Sequence, residues 1–334
     1  MKLTLKEIAK LISASVNGNP SKEILGINTL ANANSEQISY AISNKYKELL
    51  INSNAGAVIV DKKLIELCPT NALLVENVNL AYSILTHKFK NHQNINHFQK
   101  AENIINSYSK VNISPGSIIG KNVAIGENSL IGANCVIEDN VTIGKNSCIE
   151  SNVTILKGSQ IGKNCVISAG AIIGSEGFGN ARDKYNKWNA IAHLGNVIIG
   201  DNVSIGANTT IDRGSIGNTE IHNGVKIDNL VHIAHNVIIG EDTAIAGTTG
   251  IAGTTIIGKR CMIGGKVGIV GQLTITDDVI VNATSTVNRN ITKPGVYTGF
   301  VPIMLHSEWK KVGIWLTKLD KIASLLKIKL KNIK

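Results

Sequence analysis

Residues 111–150 read VNISPGSIIGKNVAIGENSLIGANCVIEDNVTIGKNSCIE, with an isoleucine at every sixth place from Ile113 onward. The series runs unbroken to Ile173, resumes at Ile199, Ile205 and Ile211, and runs again from Ile221 to Ile275 before closing on Val281 and Val287. Two residues ahead of these positions stand small or β-branched side chains, among them Val123, Cys135, Val141, Cys165, Val203, Thr243, Cys261 and Val279. Glycine often follows the isoleucine, as at Gly120, Gly126, Gly132, Gly144 and Gly162. A period of six matches neither the roughly 3.6-residue turn of a helix nor the alternation of a half-buried strand. It matches a short strand plus a corner, repeated. Three such sides close a triangular coil, and stacked coils make a parallel β-helix. The isoleucine column fills the axis, the small residue fits inside each corner, and Gly or Asn supplies backbone freedom at the corner. Rings would not fit so narrow a prism. Phe178, Tyr185 and Trp188 all fall in the break between Ile173 and Ile199.

Composition agrees with this reading. Of 334 residues, 43% are hydrophobic and 17% charged, which provides a core and excludes a disordered chain. Aromatics make up only 4%, and 32 Gly stand against 5 Pro, which argues against a bundle or sandwich built on large rings. The 5 Cys show no CxxC spacing and no disulfide framework. Cys135, Cys165 and Cys261 take the inward small position and Cys148 precedes an axial Ile, so their role is structural. Such cysteine usage points to a reducing, cytoplasmic location. The opening MKLTLKEIAKLI is broken by Lys6, Glu7 and Lys10 and lacks the apolar run of an export signal. No stretch approaches the roughly 18 apolar residues that suggest a transmembrane segment. The net charge of +10 suits nucleic acid, an anionic membrane surface or an acidic protein. No nucleic-acid motif or aromatic platform accompanies the lysines, so nucleic acid is not expected.

The flanks differ from the hexads. Residues 1–100 read as a small α/β domain. Thr4 and Glu7 form a capping box for a helix through Leu11, AGAVIV ending at Val60 and NALLV near Val75 read as strands, and a helix follows over about 79–89. Asn91 to Asn106 is polar and reads as a linker, with His92 and His97 in it and His87 just before it. The coil is expected over 101–296, stopped by Pro294 and Pro302. Residues 297–334 read as a helical segment, with Val312, Trp315, Leu319, Ile322, Leu326 and Leu330 at helical spacing and Lys310, Lys311, Lys318, Lys321, Lys327, Lys329 and Lys331 making it basic.

Axial positions are structural, so chemistry must sit on outward ones. His232 and His235 flank Ile233, and both should point outward. Residues eighteen apart stack on successive coils. Above His235 the column reads Gly253 then Gly271; above His232 it reads Gly250, Gly268, then Thr286; above Asn229 it reads Gly247, Gly265, then Ala283. At about 4.8 Å per coil, this bares a groove on the order of 10–15 Å long. Glycine in a strand often marks close approach by a ligand. A histidine at its foot reads as a base beside a slot for a long, thin substrate; the bland alternative is a solvated surface histidine with glycines that ease corners. His232 and His235, three apart on opposite sides of an axial residue, sit awkwardly for one tetrahedral centre, so no metal is expected. His193 and His222 are left without a role.

Several strings together point further: GSEGFGNARDKYNKWNAIAHLGNVIIGDNVSIGANTTIDRGSIGNTEI, IDNLVHIAHNVIIGEDTAIAG, ITKPGVYTGF and the N-terminal ISYAISNKYKELL. They resemble the UDP-3-O-acylglucosamine N-acyltransferase family of lipid A biosynthesis, over almost the whole chain. The resemblance implies a mainly β fold: a left-handed parallel β-helix of hexapeptide repeats, an exception to right-handed crossover, with an N-terminal uridine-binding domain and C-terminal helices. It implies a homotrimer with active sites between chains. It also implies transfer of a 3-hydroxyacyl group from the phosphopantetheine thioester of acyl carrier protein to the 2-amino group of UDP-3-O-(3-hydroxyacyl)glucosamine, with no further cofactor.

By that resemblance His235 in IAHN is the general base, Gly253 the backbone donor to the oxyanion, and Asp228 an acid that orients the imidazole. Tyr40, Ser43 and Tyr46 match uridine contacts, Tyr40 replacing the usual Phe and Ser43 an Asn. Gln272 stands where many members carry a second histidine, and Gln cannot act as acid or base. Gly250, Gly268 and Gly271 line the acyl slot, and Thr286 stands where a bulkier residue can close it, which would admit a longer chain. Arg289, Lys293, Lys310 and Lys311 are expected to meet the acidic carrier protein. Two alternatives stay open: another hexapeptide-repeat O-acyltransferase, and a catalytically silent paralogue acting as a scaffold.

Overall fold

The computed structural model describes residues 2–90, 99–100, 110–300 and 302–326. They form two compact units, 1–298 and 299–334.

The first unit begins with helix α1 (Leu5–Ile12), closed by the capping box: the Glu7 N–H donates to Thr4 Oγ1 at 3.3 Å and the Thr4 N–H to Glu7 Oε2 at 2.7 Å. Five strands form one sheet in the order 15–17, 71–74, 57–60, 37–40, 26–27. Ala57–Val60 lies at its centre with all four residues buried, as a near-continuous apolar run requires. Helix α2 (Lys47–Ile51) is short. Helix α3 (Val78–Phe89) buries Val78, Ala81 and Leu85 against Leu5, Ile8, Ile59 and Leu73.

From Asn112 the chain winds as a three-sided parallel β-helix whose faces are sheets of ten, eight and ten strands. Register advances by eighteen residues per coil, as in Ile118↔Val136 and Ile119↔Ile137. The isoleucine column forms one continuous buried core. Asn122, Asn128, Asn134, Asn140 and Asn146 turn the corners at φ of 54° to 60°, a left-handed region that asparagine tolerates. Their amides ladder from coil to coil, as in Asn122 Nδ2 to Asn140 Oδ1 at 3.2 Å. The inward small position has its own logic. Ser129 Oγ donates to the Gly144 carbonyl (3.0 Å), Cys135 Sγ to that of Glu150 (3.0 Å), and Thr243 Oγ1 to that of Gly258 (2.8 Å). Ser, Thr and Cys interchange there because each supplies a small donor. Burial pushes the Cys135, Cys165 and Cys261 thiols up, so they stay protonated and inert.

Two boundaries differ from expectation. Pro294 does not end the coil: Gly295–Tyr297 pairs in parallel with Val279–Val281, adding one rung past the proline and past residue 296. Proline at the entry to an edge rung removes no ladder hydrogen bond. Within the expected linker, Gln99–Lys100 pairs antiparallel with Ile118–Ile119; its other residues, including His92 and His97, lie outside the described residues.

In the second unit, helix α4 (His306–Thr317) and helix α5 (Leu319–Leu325) break at Lys318, and neither buries a residue. Leu330, Lys327, Lys329 and Lys331 lie outside the described residues. Among the described residues no helix is long and apolar enough to cross a membrane.

Candidate active site

Both interruptions of the hexads collect around one histidine. The first leaves the coil at Gly174 and projects a hairpin, Asn180–Arg182 against Trp188–Ala190, with the Arg182 guanidinium 4.3 Å over the Trp188 ring. This insert docks on α3: Ser83 Oγ donates to the Ala190 carbonyl (2.8 Å), the Ala192 N–H to Thr86 Oγ1 (3.1 Å), and Lys90 pairs with Glu176. The second is a short loop after Thr210–Asp212, held by Arg213, whose Nε donates to the Gly174 carbonyl at 2.8 Å and Nη2 to that of Lys157 at 2.6 Å.

His235 is half-buried between them. A Cβ on Gly253, one coil above, would stand 2.7 Å from His235 Nε2, and a Cβ on Gly177 of the insert would stand 3.0 Å from His235 Cβ. Both glycines are therefore required by the ring's presence. Gly250 and Gly268 differ: a Cβ on either meets nothing within 4 Å. They stand in register between His232 and the exposed Thr286, so that column is an open groove. A Cβ on Gly271 would stand 2.9 Å from the Gly253 carbonyl oxygen, so Gly271 belongs to the packed column, not to the open one.

The Gly253 N–H has no hydrogen-bond partner among the described residues. At the equivalent corners on either side, the Gly247 N–H is capped by Asp228 Oδ2 (2.9 Å) and the Lys259 N–H by Asp277 Oδ1 (2.8 Å). This fact bears on Asp228. Its Oδ2 accepts from the Gly247 N–H one coil above, and no hydrogen bond joins it to the imidazole among the described residues. The group in contact with His235 Nδ1 is Asn236 Oδ1, at 3.1 Å. The carboxylate that feels the charge of His235 is Asp212, buried, hydrogen-bonded to Ser175 Oγ at 2.6 Å and 3.7 Å from His232 Nε2. Burial raises the Asp212 carboxyl, opposed by the Ser175 bond and the two histidine charges.

His193 is a further neighbour, edge-on to His235 with ring centroids 5.2 Å apart. It is 2% exposed, and neither ring nitrogen has a hydrogen-bond partner among the described residues. Burial, followed by the charge of His235, lowers it to about 4, so it stays neutral near pH 7. Gln272 is exposed at a corner with φ 61°, its N–H donating to the Gly253 carbonyl at 3.0 Å. In the N-terminal domain Tyr40 stacks on buried Tyr82 of α3 at 4.1 Å, with Tyr46 near enough to raise the Tyr40 phenol after burial has done so; Ser43 is exposed. Arg289 and Lys293 are exposed on the last coils, and Lys310 and Lys311 are exposed on α4. Among the described residues no cluster of three His, Cys, Asp or Glu could hold a metal ion.

Sequence reasoning missed His193, Asp212 and Asn236. Asp212 had a signal, since it stands where glycine often follows the axial isoleucine. Asn236 had none, since corner asparagines recur along the whole coil.

Comparison with known proteins fits this geometry. The family model for UDP-3-O-(3-hydroxymyristoyl) glucosamine N-acyltransferase, LpxD, matches residues 21–88, and bacterial transferase hexapeptide repeats match 218–253. UDP-3-O-acylglucosamine N-acyltransferase of Ruthia magnifica subsp. Calyptogena magnifica is 61% identical over 99% of both chains. The protein of the same name from Vesicomyosocius okutanii subsp. Calyptogena okutanii is 58% identical over 99% of both. That of Coxiella burnetii is 38% identical over 97% of this chain and 96% of its own. With relatives this similar along its full length, the chain belongs to the UDP-3-O-acylglucosamine N-acyltransferase family.

Proposed function

We propose that the protein transfers a 3-hydroxyacyl group from the thioester of acyl carrier protein to the 2-amino group of UDP-3-O-(3-hydroxyacyl)glucosamine, with His235 as general base. The observation that carries this reading is His235 Nε2 set against Gly253, where an added Cβ would stand 2.7 Å away, beside the open Gly250–Gly268 column that rises from His232. As the sugar amine attacks the thioester carbonyl, Nε2 takes its proton. The oxyanion of the tetrahedral intermediate accepts from the uncapped Gly253 N–H. The imidazolium, its charge offset by Asp212, then returns the proton to the departing phosphopantetheine sulfur. Asp228 serves this site by capping Gly247, and Gln272 supplies a hydrogen-bonding side chain where no second acid–base group is needed.

In this reading the acyl chain lies along Gly250 and Gly268, with Gly271 in the packed column beside them, and the small Thr286 leaves the groove open for a longer chain. Tyr40, backed by Tyr82, stacks on the uracil, with Ser43 and Tyr46 at its edge. The exposed apolar residues of α4, such as Trp309, Ile314 and Trp315, support burial between copies in a homotrimer of left-handed coils. Arg289, Lys293, Lys310 and Lys311 offer positive charge to the acidic carrier, and the reaction takes place in the cytoplasm.

The test incubates the full chain with UDP-3-O-acylglucosamine and a panel of 3-hydroxyacyl carrier proteins, reading product mass. We expect amide formation, fastest with the longer donors, and a loss of about 10²–10⁴-fold in kcat for His235→Ala. Unchanged turnover in His235→Ala would overturn the reading.

A further inference from the structure

We infer that Asn236 is a positioning residue that fixes the tautomer of His235, holding the proton on Nδ1 and leaving the Nε2 lone pair directed at Gly253. The inference rests on the acyl-transfer reading for its consequence, but the tautomer itself follows from hydrogen bonding.

The amide of Asn236 has a single permitted orientation. Its Nδ2 lies 2.7 Å from the Ile216 carbonyl oxygen, which can only accept. Its Oδ1 lies 2.9 Å from the Ser215 backbone nitrogen, which can only donate. Flipping the amide would set two acceptors and two donors face to face. Oδ1 is therefore the atom presented to His235 Nδ1 at 3.1 Å, and since an amide oxygen only accepts, the neutral imidazole must carry its proton on Nδ1. Nε2 is then the free base. Ser215 Oγ, 3.0 Å from the same Oδ1, adds a second bond from the loop, and the Asn236 N–H is held by Thr219 Oγ1 at 2.8 Å.

The bland reading is that Asn236 merely turns a corner, since its φ of 59° is that of the other corner asparagines. Those asparagines behave differently. Asn146 Nδ2 donates to Asn164 Oδ1 and Asn164 Nδ2 to Asn202 Oδ1, each at 3.2 Å, which continues the ladder along the coil edge. The Asn236 amide instead turns into the loop of the second interruption, and a Cβ on Gly214 in that loop would stand 2.8 Å from Asn236 Nδ2. That interruption thus acquires a purpose: its Ser215 and Ile216 are the clamp. The other titratable neighbours do not compete for Nδ1. His193 meets the ring edge-on, and the pairing of Asp212 is with Ser175 and His232.

The experiment is nitrogen NMR at alkaline pH on the full chain labelled with ¹⁵N at histidine, with His235→Gln identifying its signals. We expect the protonated nitrogen to be Nδ1. Asn236→Gly removes the amide while tolerating the left-handed backbone; it should move His235 toward the Nε2–H tautomer and lower kcat about 10- to 100-fold with KM little changed. Asn236→Asp keeps an acceptor and should keep the Nδ1–H tautomer. A wild-type spectrum with Nδ1 unprotonated would overturn the inference whether or not any variant folds. So would Asn236→Gly that retains both the tautomer and kcat. A wild-type chain without turnover would sink the acyl-transfer reading alone, since the spectrum reports the tautomer independently.

Discussion

The coils from Asn112 to Ile173 and those from Gly174 to Gly253 have the same core and the same register, yet only the second set holds a reactive group. In the first set the devices of the hexad recur. Most axial isoleucines are buried, corner asparagines ladder, and inward residues such as Ser129 and Cys135 donate to the next carbonyl, while Ser159 Oγ is buried without a partner among the described residues. In the second set the rule is broken three times near one ring: by the insert after Ile173, by Asp212 in a glycine position, and by the loop at Ser215. The site arises where the non-repeating segments crowd one imidazole.

Three substitutions probe that contrast. The largest effect is expected in the regular coils. Ile155→Ala empties a fully buried axial position and should cost about 4 kcal/mol, read as a lowered thermal midpoint, with kcat of the folded fraction unchanged. A loss of turnover without loss of stability there would break the comparison. Next, Gly253→Ala places a methyl 2.7 Å from His235 Nε2 and must displace the ring. We expect about a 100-fold fall in kcat with a near-normal melting profile; full activity would mean that the ring does no work in that position. The smallest concerns acid. An unfolded His193 titrates at about pH 6.5, whereas the folded one takes a proton only at about 4. Between these values the unfolded chain binds the extra proton, so stability is unaffected above the window and falls as pH drops through it. Melting curves across that range should show this slope in the wild type and lose most of it in His193→Leu. An unchanged slope would move the acid sensitivity elsewhere.

The family signature and the two histidines flanking Ile233 were legible from residues alone, because a period of six translates directly into stacking. The glycine columns were legible only as columns. Their division into an open groove at Gly250 and Gly268 and a packed contact at Gly253 and Gly271 depends on which side chains approach them. By the resemblance Asp228 orients the imidazole; in the fold its Oδ2 caps Gly247, Asn236 Oδ1 contacts Nδ1 of the base, and the charge of His235 bears on Asp212.

The repeat by itself determined the coil, its buried axis, the inert inward cysteines and the side of the prism on which His235 stands, because each follows from a local rule applied every six residues. Only the tertiary structure decided the partners of that histidine. His193, Ser215 and Gly177 come from the interruptions, whose path no period describes, and they reach His235 because the insert is pinned to α3 and the loop is clamped to Asn236. Periodicity sets what recurs along the chain; contacts between segments that do not recur are set by packing.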